Sequence, residues 1–224
     1  MTLHKGEILG LAGLAGAGCT ELARAIFGAD SKDAGEVWMH GQPIEIRSPH
    51  DAKRHGIGFV TEDRKEEGLV LGLDLLSNIS MTILDRLTRG FILRNTEARA
   101  ITVQFIQMLQ IKTRGPAQIA KNLSGGNQQK VVVSKWLATK PTVLIMDEPT
   151  RGIDVGSKGQ IYSLLNQLAD SGIGILMISS EIQEILEMSD RILVMSGGEI
   201  TAELSREQAT QDVILHYATL KTVL

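Results

Sequence analysis

The sequence has little of what several protein classes require. It contains a single cysteine, which excludes an intramolecular disulfide and a cluster of thiolate metal ligands and fits a reducing compartment. Its 23 basic and 26 acidic residues give a formal net charge of -3, so the broad basic surface of a nucleic-acid binder is not expected. No apolar run approaches the roughly 20 residues that a membrane-spanning helix needs, and the chain does not open like a secretory signal. We therefore expect neither a secreted nor an integral membrane protein.

The chain does contain the alternation of strands and helices that is typical of an α/β fold. Its 224 residues, of which 43% are hydrophobic, suffice for a sizeable core. Strand patterns occur in "EILGLAG", "GIGFVT", "PTVLIMDEPT" and "GILMISS", and helical patterns in "TELARAIFG", "NQQKVVVSKWLA", "GSKGQIYSLLNQLADSG" and "EIQEILEMSD". This order predicts a largely parallel sheet with helices on both faces and with ligands at the carboxyl ends of the strands.

Three stretches depart from that alternation. "AGEVWMHGQPIEI" predicts a hairpin with its turn at residues 40–43, and "RILVMSGGEITAEL" predicts a second hairpin that turns at Gly197-Gly198. From about residue 76 to residue 120 the pattern is helical with no strand-like run, which predicts a helical insertion.

The stretch "GLAGAGCT", residues 13–20, has the spacing of a phosphate-binding loop with cysteine in place of the lysine. It lies between a predicted strand and a predicted helix, where glycines let backbone N–H groups approach phosphate oxygens and the helix N-terminus favours an anion. The Thr20 hydroxyl is a candidate Mg²⁺ ligand. Taken alone, the stretch is equally compatible with an ordinary glycine turn. The candidate nucleotide-binding residues are Gly13, Gly16, Ala17, Gly18, Cys19 and Thr20.

Two adjacent acids follow the apolar run "VLIM". Asp147 is a candidate Mg²⁺ ligand, and Glu148 is a candidate base that accepts a proton from an attacking water. Adjacent acids are usually a solvated strand end. Their position after a wholly apolar strand, in a chain that also holds the glycine loop, favours the functional interpretation.

The stretch "LSGGNQQK", residues 123–130, places a serine and two glycines at the start of a predicted helix. The arrangement offers a second set of backbone donors for anionic oxygen. Ser124 is also a good helix N-cap, and the two roles are compatible. Asp154 in "RGID" is likewise a good N-cap for the helix that follows it.

The loop, "LSGGNQQ" and "DEPT" together resemble the nucleotide-binding domain of an ATP-binding cassette (ABC) transporter over nearly the whole chain. Stretches such as "GFVTEDRKEEGL" and "MISSEIQEILEMSDRILVMSGGEI" resemble the second of two fused cassettes in the ATPase subunits of bacterial ribose, galactose and other simple-sugar importers. The resemblance implies a P-loop NTPase fold of the ABC ATPase type, with a mainly parallel sheet core, an antiparallel β lobe and a helical subdomain. Residues 1–224 would be one nucleotide-binding domain, with 1–75 and 121–224 as the α/β core with its β lobe and about 76–120 as the helical subdomain.

The resemblance also implies cofactors, partners and a location. The cofactors are ATP and Mg²⁺. The partners are a second cassette, paired head to tail and fused on the N-terminal side, integral membrane permease subunits and, indirectly, a sugar-binding protein, with no nucleic acid. The location is the cytoplasm, peripheral on the inner face of the cell membrane. Because the first strand begins so soon after Met1, we expect the chain to be the C-terminal half of a longer two-cassette polypeptide.

Several residues take family roles through this resemblance. Glu62 stands at the position of the Q-loop glutamine, Ser180 at that of the switch histidine and Asp154 at that of the D-loop aspartate. The signature segment, which would reach across the dimer to the ATP of the partner cassette, consists of Leu123, Ser124, Gly125, Gly126, Asn127 and Gln128. The charge-dense residues 62–70 are ordinarily a solvated loop, but the resemblance implies that the membrane subunit docks near them.

Three positions depart from an active cassette. Cys19 carries no charge where lysine would reach the β- and γ-phosphates, Glu62 places a carboxylate near phosphate, and Ser180 cannot carry the charge of a histidine. We expect a degenerate phosphate loop and little or no ATP hydrolysis by the isolated domain. Cys19 either fills the loop with a small side chain or, at a helix N-terminus, has a lowered thiol pKa and reacts. Alternative functions are a nucleotide-binding regulatory cassette without turnover and a non-transport ABC ATPase.

Overall fold

The computed structural model describes residues 1–89 and 92–221. Contacts divide the chain into two units. The first consists of residues 1–59, 142–149 and 165–224, and the second of residues 60–141 and 150–164. The strands are β1 Ile8–Gly13, β2 Val37–Met39, β3 Gln42–Ile44, β4 Ile57–Val60, β5 Thr88–Arg89, β6 Ile92–Leu93, β7 Val143–Asp147, β8 Gly174–Ile178, β9 Arg191–Ser196 and β10 Glu199–Ser205. The helices are α1 Cys19–Phe27, α2 Pro49–Arg54, α3 Leu75–Ser80, α4 Leu84–Leu87, α5 Asn95–Met108, α6 Gly125–Leu137, α7 Val155–Asp170, α8 Ile182–Met188 and α9 Gln211–Thr219.

The first unit is built on a six-stranded sheet in the order β10-β9-β1-β8-β7-β4. Strand β1 pairs in parallel with both β8 and β9, and β7 pairs in parallel with β8, while β10 is antiparallel to β9. The sheet is therefore mainly parallel, as the sequence predicts. The carboxyl ends of β1 and β7 lead directly into the glycine loop and the acidic pair, so the topology places both candidate features at one edge.

Burial explains why these strands read as continuous apolar runs. Strands β7 and β8 are buried along nearly their whole length, and α1, α8 and α9 pack against strands of the sheet. A strand covered on both faces has no solvent side on which polar residues would alternate. Each fully buried leucine or isoleucine contributes about 1.5–3 kcal/mol to folding. The fully buried side chains of this core include Leu9, Leu11, Leu144, Ile145, Ile175 and Met177.

The two predicted hairpins form, with one difference. Strand β10 follows β9 through a turn at Gly197 and Gly198, both at positive φ, as predicted. In the other hairpin, the turn lies within the predicted residues 40–43 but is shorter than predicted, because β3 already begins at Gln42. His40 and Gly41 both have left-handed backbone, with φ of 51° and 77°, and this geometry closes a hairpin in two residues.

The second unit is mainly helical. Helix α3 packs against both α5 and α6, and its first turn is capped by Asp74, whose side chain accepts a hydrogen bond from the Ser77 N–H at 2.8 Å. The prediction of no strand in this region is wrong, because β5 and β6 pair with each other in antiparallel orientation. Strands of two residues are too short to produce a visible alternation. No described helix is both long and apolar enough to span a membrane.

Candidate nucleotide-binding site

The candidate site residues fall into two groups, one in each unit. The first unit contains the glycine loop, the acidic pair after β7 and Ser180. The second unit contains Glu62, the signature segment and Asp154. Each group has its own local geometry.

The glycine loop between β1 and α1 is held by backbone contacts. Gly16 and Gly18 have φ of 80° and 99°, a left-handed conformation that glycine adopts without steric cost. The Ala17 N–H donates to the Leu14 carbonyl at 2.9 Å, so this N–H is occupied within the loop. From the other side, the Gly198 N–H donates to the Ala17 carbonyl at 3.0 Å. The turn between β9 and β10, which the sequence interpretation did not connect with the loop, therefore supports it.

The start of α1 offers further backbone donors. The Leu22 N–H makes the first intrahelical hydrogen bond, to the Gly18 carbonyl at 2.9 Å. The N–H groups of the residues before it, Cys19 and Thr20 among them, precede the first helical acceptor and point out of the helix end. A phosphate at this position would receive these donors together with the positive end of the helix dipole.

Cys19 is packed into the loop. A Cβ atom on Gly13 would lie 3.0 Å from the Cys19 Sγ and 2.7 Å from the Ala17 Cβ, so only glycine fits at residue 13. Burial, followed by the negative charge of Asp147, raises the pKa of the Cys19 thiol from 9.0 to about 12. The interpretation of a reactive cysteine with a lowered pKa is therefore wrong. The side chain fills the loop as a neutral group.

Asp147 ends β7 as a fully buried carboxylate. Helix α1, whose first turn carries Thr20, packs against β7. A carboxylate and a hydroxyl are oxygen ligands of the kind that Mg²⁺ prefers. No group of three or more metal-ligating side chains occurs in the described part of the chain. The residues thus fit a Mg²⁺ ion that takes its remaining ligands from phosphate and water.

Glu148 is held by the strand that precedes Ser180. Its backbone is left-handed, with φ of 48°, and its N–H donates to the Ile178 carbonyl at 2.9 Å. Such strained backbone is common at functional sites. The Glu148 Oε1 accepts a hydrogen bond from the Ser180 N–H at 2.6 Å. Burial raises the pKa of the Glu148 carboxyl, and the hydrogen bonds from Ser180 oppose that rise.

In the second unit, the signature segment begins α6. Ser124 lies at the N-cap position, but its side chain makes no capping hydrogen bond. Its Oγ instead accepts a hydrogen bond from the Asn127 Nδ2 at 2.8 Å, while the Asn127 Oδ1 accepts one from the Lys112 N–H at 2.8 Å. Because the Ser124 oxygen serves as the acceptor towards Asn127, its proton can be donated elsewhere.

Leu123 and Gln128 anchor the segment from inside. Leu123 is buried, and the buried Gln128 amide donates to the Ala120 carbonyl at 3.2 Å. These two residues of the predicted signature segment therefore stabilise it within the chain. Ser124 and Asn127 are its more accessible polar members.

Close packing requires glycine at both signature positions. A Cβ atom on Gly125 would lie 2.9 Å from the Arg64 Nη2 and 2.9 Å from the Gly152 carbonyl oxygen. A Cβ atom on Gly126 would lie 2.8 Å from the Ser157 Cβ. Real Cβ atoms essentially never approach other heavy atoms so closely, since the overlap costs steric energy. The two glycines are thus required by the chain itself, whatever binds at the segment.

Asp154 has the capping role that the sequence allows. Its Oδ1 accepts from the Ser157 N–H at 3.0 Å and its Oδ2 from the Ser157 hydroxyl at 2.9 Å. These contacts fix the start of α7. They leave a second role for Asp154 at an interface open.

Glu62 forms an ion pair with Arg151. Close by, the Arg64 guanidinium donates to the carbonyls of Arg151 at 2.5 Å and Gly152 at 2.8 Å. The sequence interpretation missed both arginines. The two arginines occur in "EDRK" and "TRGID", but no local spacing rule connects residues that lie 87 positions apart in the sequence.

Sequence comparisons identify relatives of the chain. Residues 1–151 match the model of the ABC transporter family. The ribose import ATP-binding protein RbsA of Oceanobacillus iheyensis is 50% identical over 218 residues, which are 97% of this chain and 44% of the relative. The ribose import ATP-binding protein RbsA 1 of Rubrobacter xylanophilus is 52% identical over 221 residues, which are 98% of this chain and 44% of the relative. The chain therefore spans less than half the length of these relatives.

Solved structures show the same fold. A dimeric ATP-binding cassette in a post-hydrolysis state, bound to ADP and Pi, is similar with a TM-score of 0.77 and 24% identity, over 92% of this chain and 88% of the other. A nucleotide-free ATP-binding cassette from an ABC transporter is similar with a TM-score of 0.81 and 20% identity, over 97% of this chain and 89% of the other. This likeness confirms the predicted P-loop NTPase fold of the ABC ATPase type.

Proposed function

Because the chain belongs to the ABC transporter family, whose model matches residues 1–151, we propose that it is an ATP-binding and ATP-hydrolysing cassette that drives the import of a sugar. The sugar is suggested by relatives that are named ribose import ATP-binding proteins. We further propose that its signature segment completes an ATP site on a partner cassette, while its own phosphate loop is the weaker site.

One observation carries this proposal. The residue at the lysine position, Cys19, is a half-buried neutral thiol beside Asp147, whereas the exposed Ser124 hydroxyl only accepts a hydrogen bond within the chain, from Asn127, and keeps its proton for another acceptor. Lysine at that position would neutralise the charge of the β- and γ-phosphates. A chain that lacks this charge but has an ordered signature segment is suited to serve another cassette's nucleotide.

At its own loop, the chain would hold Mg-ATP mainly through backbone. The N–H groups at the start of α1 would bind phosphate oxygens, and the Thr20 hydroxyl and Asp147 would hold Mg²⁺, which neutralises phosphate charge when bound. Glu148 would accept the proton of the attacking water, and the rise of its pKa by burial fits a base. The Ser180 N–H holds that carboxylate in a fixed position but supplies no positive charge.

The first proposed partner, a second cassette, follows from the greater length of the relatives. The chain spans 44% of each of these relatives, which leaves room for a second cassette in the same polypeptide. We propose a head-to-tail pairing with that cassette, with Asp154 at the interface and Glu62 at the Q-loop position. The other partners are membrane permease subunits near residues 62–70, which would hold the cassette on the inner face of the membrane, and indirectly a sugar-binding protein.

A regulatory cassette that binds nucleotide without turnover is the second candidate. The neutral Cys19 and the serine at the switch position favour it. Glu148 favours hydrolysis, since the candidate base is present. Replacing Glu148 by glutamine in the two-cassette polypeptide separates the two: unchanged ATP turnover would exclude a catalytic role for this chain's own site.

The proposed role of the signature segment is tested with Ser124→Ala in the same polypeptide. We expect ATP turnover to fall about tenfold or more, because the lost donor contacts a charged oxygen. The matched control is Ser31→Ala, at an exposed serine that the proposal does not use. Equal turnover of the two variants would contradict the proposal.

A further inference from the structure

We infer that Arg64 is a positioning residue for the signature segment, acting through the backbone carbonyls of Arg151 and Gly152. This inference deepens the proposed function and rests on it for its consequence in catalysis. The geometry itself stands on contacts within the second unit.

The guanidinium of Arg64 binds two consecutive carbonyls. Its Nη1 donates to the Arg151 oxygen at 2.5 Å and its Nη2 to the Gly152 oxygen at 2.8 Å. A planar fork with charged donors fits such a pair of acceptors, and the hydrogen bonds are stronger than neutral ones. Gly152 has left-handed backbone, with φ of 64°, so its carbonyl is turned towards Arg64 by a conformation that glycine permits.

The same guanidinium lies against the first residue of α6. The place where a Gly125 Cβ would stand is 2.9 Å from the Arg64 Nη2 and equally close to the Gly152 oxygen. Arg64, Gly125 and Gly152 thus meet without intervening space. Removal of the guanidinium would therefore leave space beside Gly125, into which the start of α6 could move.

The segment that carries Arg64 is itself anchored. Residues Arg64–Gly68 form one π-helical turn, and the Asp63 Oδ1 caps it by accepting from the N–H groups of Lys65 and Glu66 at 2.8 Å and 3.2 Å. At its far end, the buried Lys135 of α6 donates its Nζ to the Gly68 carbonyl at 2.5 Å.

An ion pair closes the arrangement. Glu62, just before the turn, pairs with Arg151, whose carbonyl Arg64 binds. The turn thereby contacts α6 at two places: its Gly68 carbonyl binds Lys135, and its Arg64 lies against Gly125. It is also joined to residues 151–152, through the Glu62–Arg151 ion pair and through the hydrogen bonds of Arg64 to the two carbonyls. A displacement near Glu62, where we propose that the permease docks, would reach the signature segment through Arg64.

Amide hydrogen exchange tests the geometry without nucleotide. In Arg64→Lys, one ammonium cannot bind both carbonyls with the geometry of the fork, so we expect exchange at residues 121–130 and 150–154 to rise about tenfold. Arg64→Ala should raise it at least as much. The control, Lys65→Ala, removes the adjacent exposed cation and should exchange like the parent chain. No rise at these residues would overturn the inference, and so would an equal rise in the hairpin of β9 and β10, which indicates general destabilisation.

ATP turnover of the two-cassette polypeptide tests the consequence. A misplaced signature segment should lower kcat about tenfold in Arg64→Lys, with KM for ATP within about twofold, because binding is dominated by the partner's phosphate loop. A raised KM with unchanged kcat would contradict a positioning role. If Ser124→Ala also leaves turnover unchanged, the proposed function has failed, and the exchange experiment still decides whether Arg64 positions the segment.

Discussion

The glycine loop of the first unit and the signature segment of the second are both glycine-rich turns that begin a helix, yet their surroundings differ. Around Gly16, no atom of the described residues lies within 4 Å of the place where a Cβ would stand. Around Gly125 and Gly126, three groups, on Arg64, Gly152 and Ser157, come within 3.0 Å. The glycine loop is tightly packed at Gly13 but open at Gly16, near its middle, whereas both glycines of the signature segment are enclosed by their own chain.

The difference has a physical reason in the roles that we propose. A loop that wraps a phosphate makes its strongest contacts with the ligand, so it needs few contacts of its own. A segment that is presented to another cassette must keep its shape without a ligand, because preorganised donors cost nothing to order on binding. The following predictions test this contrast, beginning with the largest expected effect.

The reactivity of Cys19 tests whether the loop shields its half-buried thiol. With a thiol pKa of about 12 in the folded chain against 9.0 when unfolded, alkylation by iodoacetamide at pH 8 should be about a thousandfold slower in the folded chain. The folded rate should continue to rise with pH well above 9, where the unfolded rate levels off. Mass spectrometry of the alkylated peptide measures both rates. Similar rates at pH 8 would show that the thiol is exposed.

Cys19→Lys tests whether the loop binds Mg-ATP weakly because it lacks a positive charge at residue 19. The added ammonium would contact phosphate and offset the charge of Asp147, so Mg-ATP should bind about 10- to 100-fold more tightly in calorimetric titration. Cys19→Met is the matched control, because it lengthens the side chain without adding charge and should not tighten binding. Failure of the lysine variant to bind Mg-ATP would contradict the assignment of this loop to a nucleotide.

Glycine-to-alanine substitutions measure the contrast in packing directly. Gly126→Ala places a methyl group against the Ser157 Cβ, and the free energy of unfolding should fall by about 1–3 kcal/mol. In Gly16→Ala the added methyl group meets no neighbour. The free energy of unfolding should therefore fall only by the cost of a left-handed backbone at alanine, about 1 kcal/mol. Urea denaturation compares the two. A larger loss at Gly16 would reverse the comparison.

The sequence predicts the fold well where the signal is local and long. The buried strands β7 and β8 appear as unbroken apolar runs, and the turn at Gly197 and Gly198 follows from residues that favour positive φ. The predictions fail where the element is short, as in the pair of β5 and β6, and are inexact where an unexpected residue, His40, adopts left-handed backbone. In both cases the local pattern is too weak to outweigh the contacts around it.

The candidate site shows the same division. The positions of the loop, the acidic pair and the signature helix follow from strand ends and helix starts, which a sequence displays as changes of period. The contact of Arg64 with Arg151 and Gly152, and the support of the loop by Gly198, join segments distant along the chain. Such pairs have no shared local pattern from which they could be derived.

By itself, the sequence determined the order of strands and helices and the residue types at the ends of the strands, because periodicity and glycine chemistry act over a few neighbouring residues. Only the tertiary structure decided that Cys19 is a half-buried neutral thiol, that Glu62 is paired, and that Gly125 lies against a guanidinium. Burial, ion pairing and close packing depend on which distant segments meet, and that is a property of the folded chain.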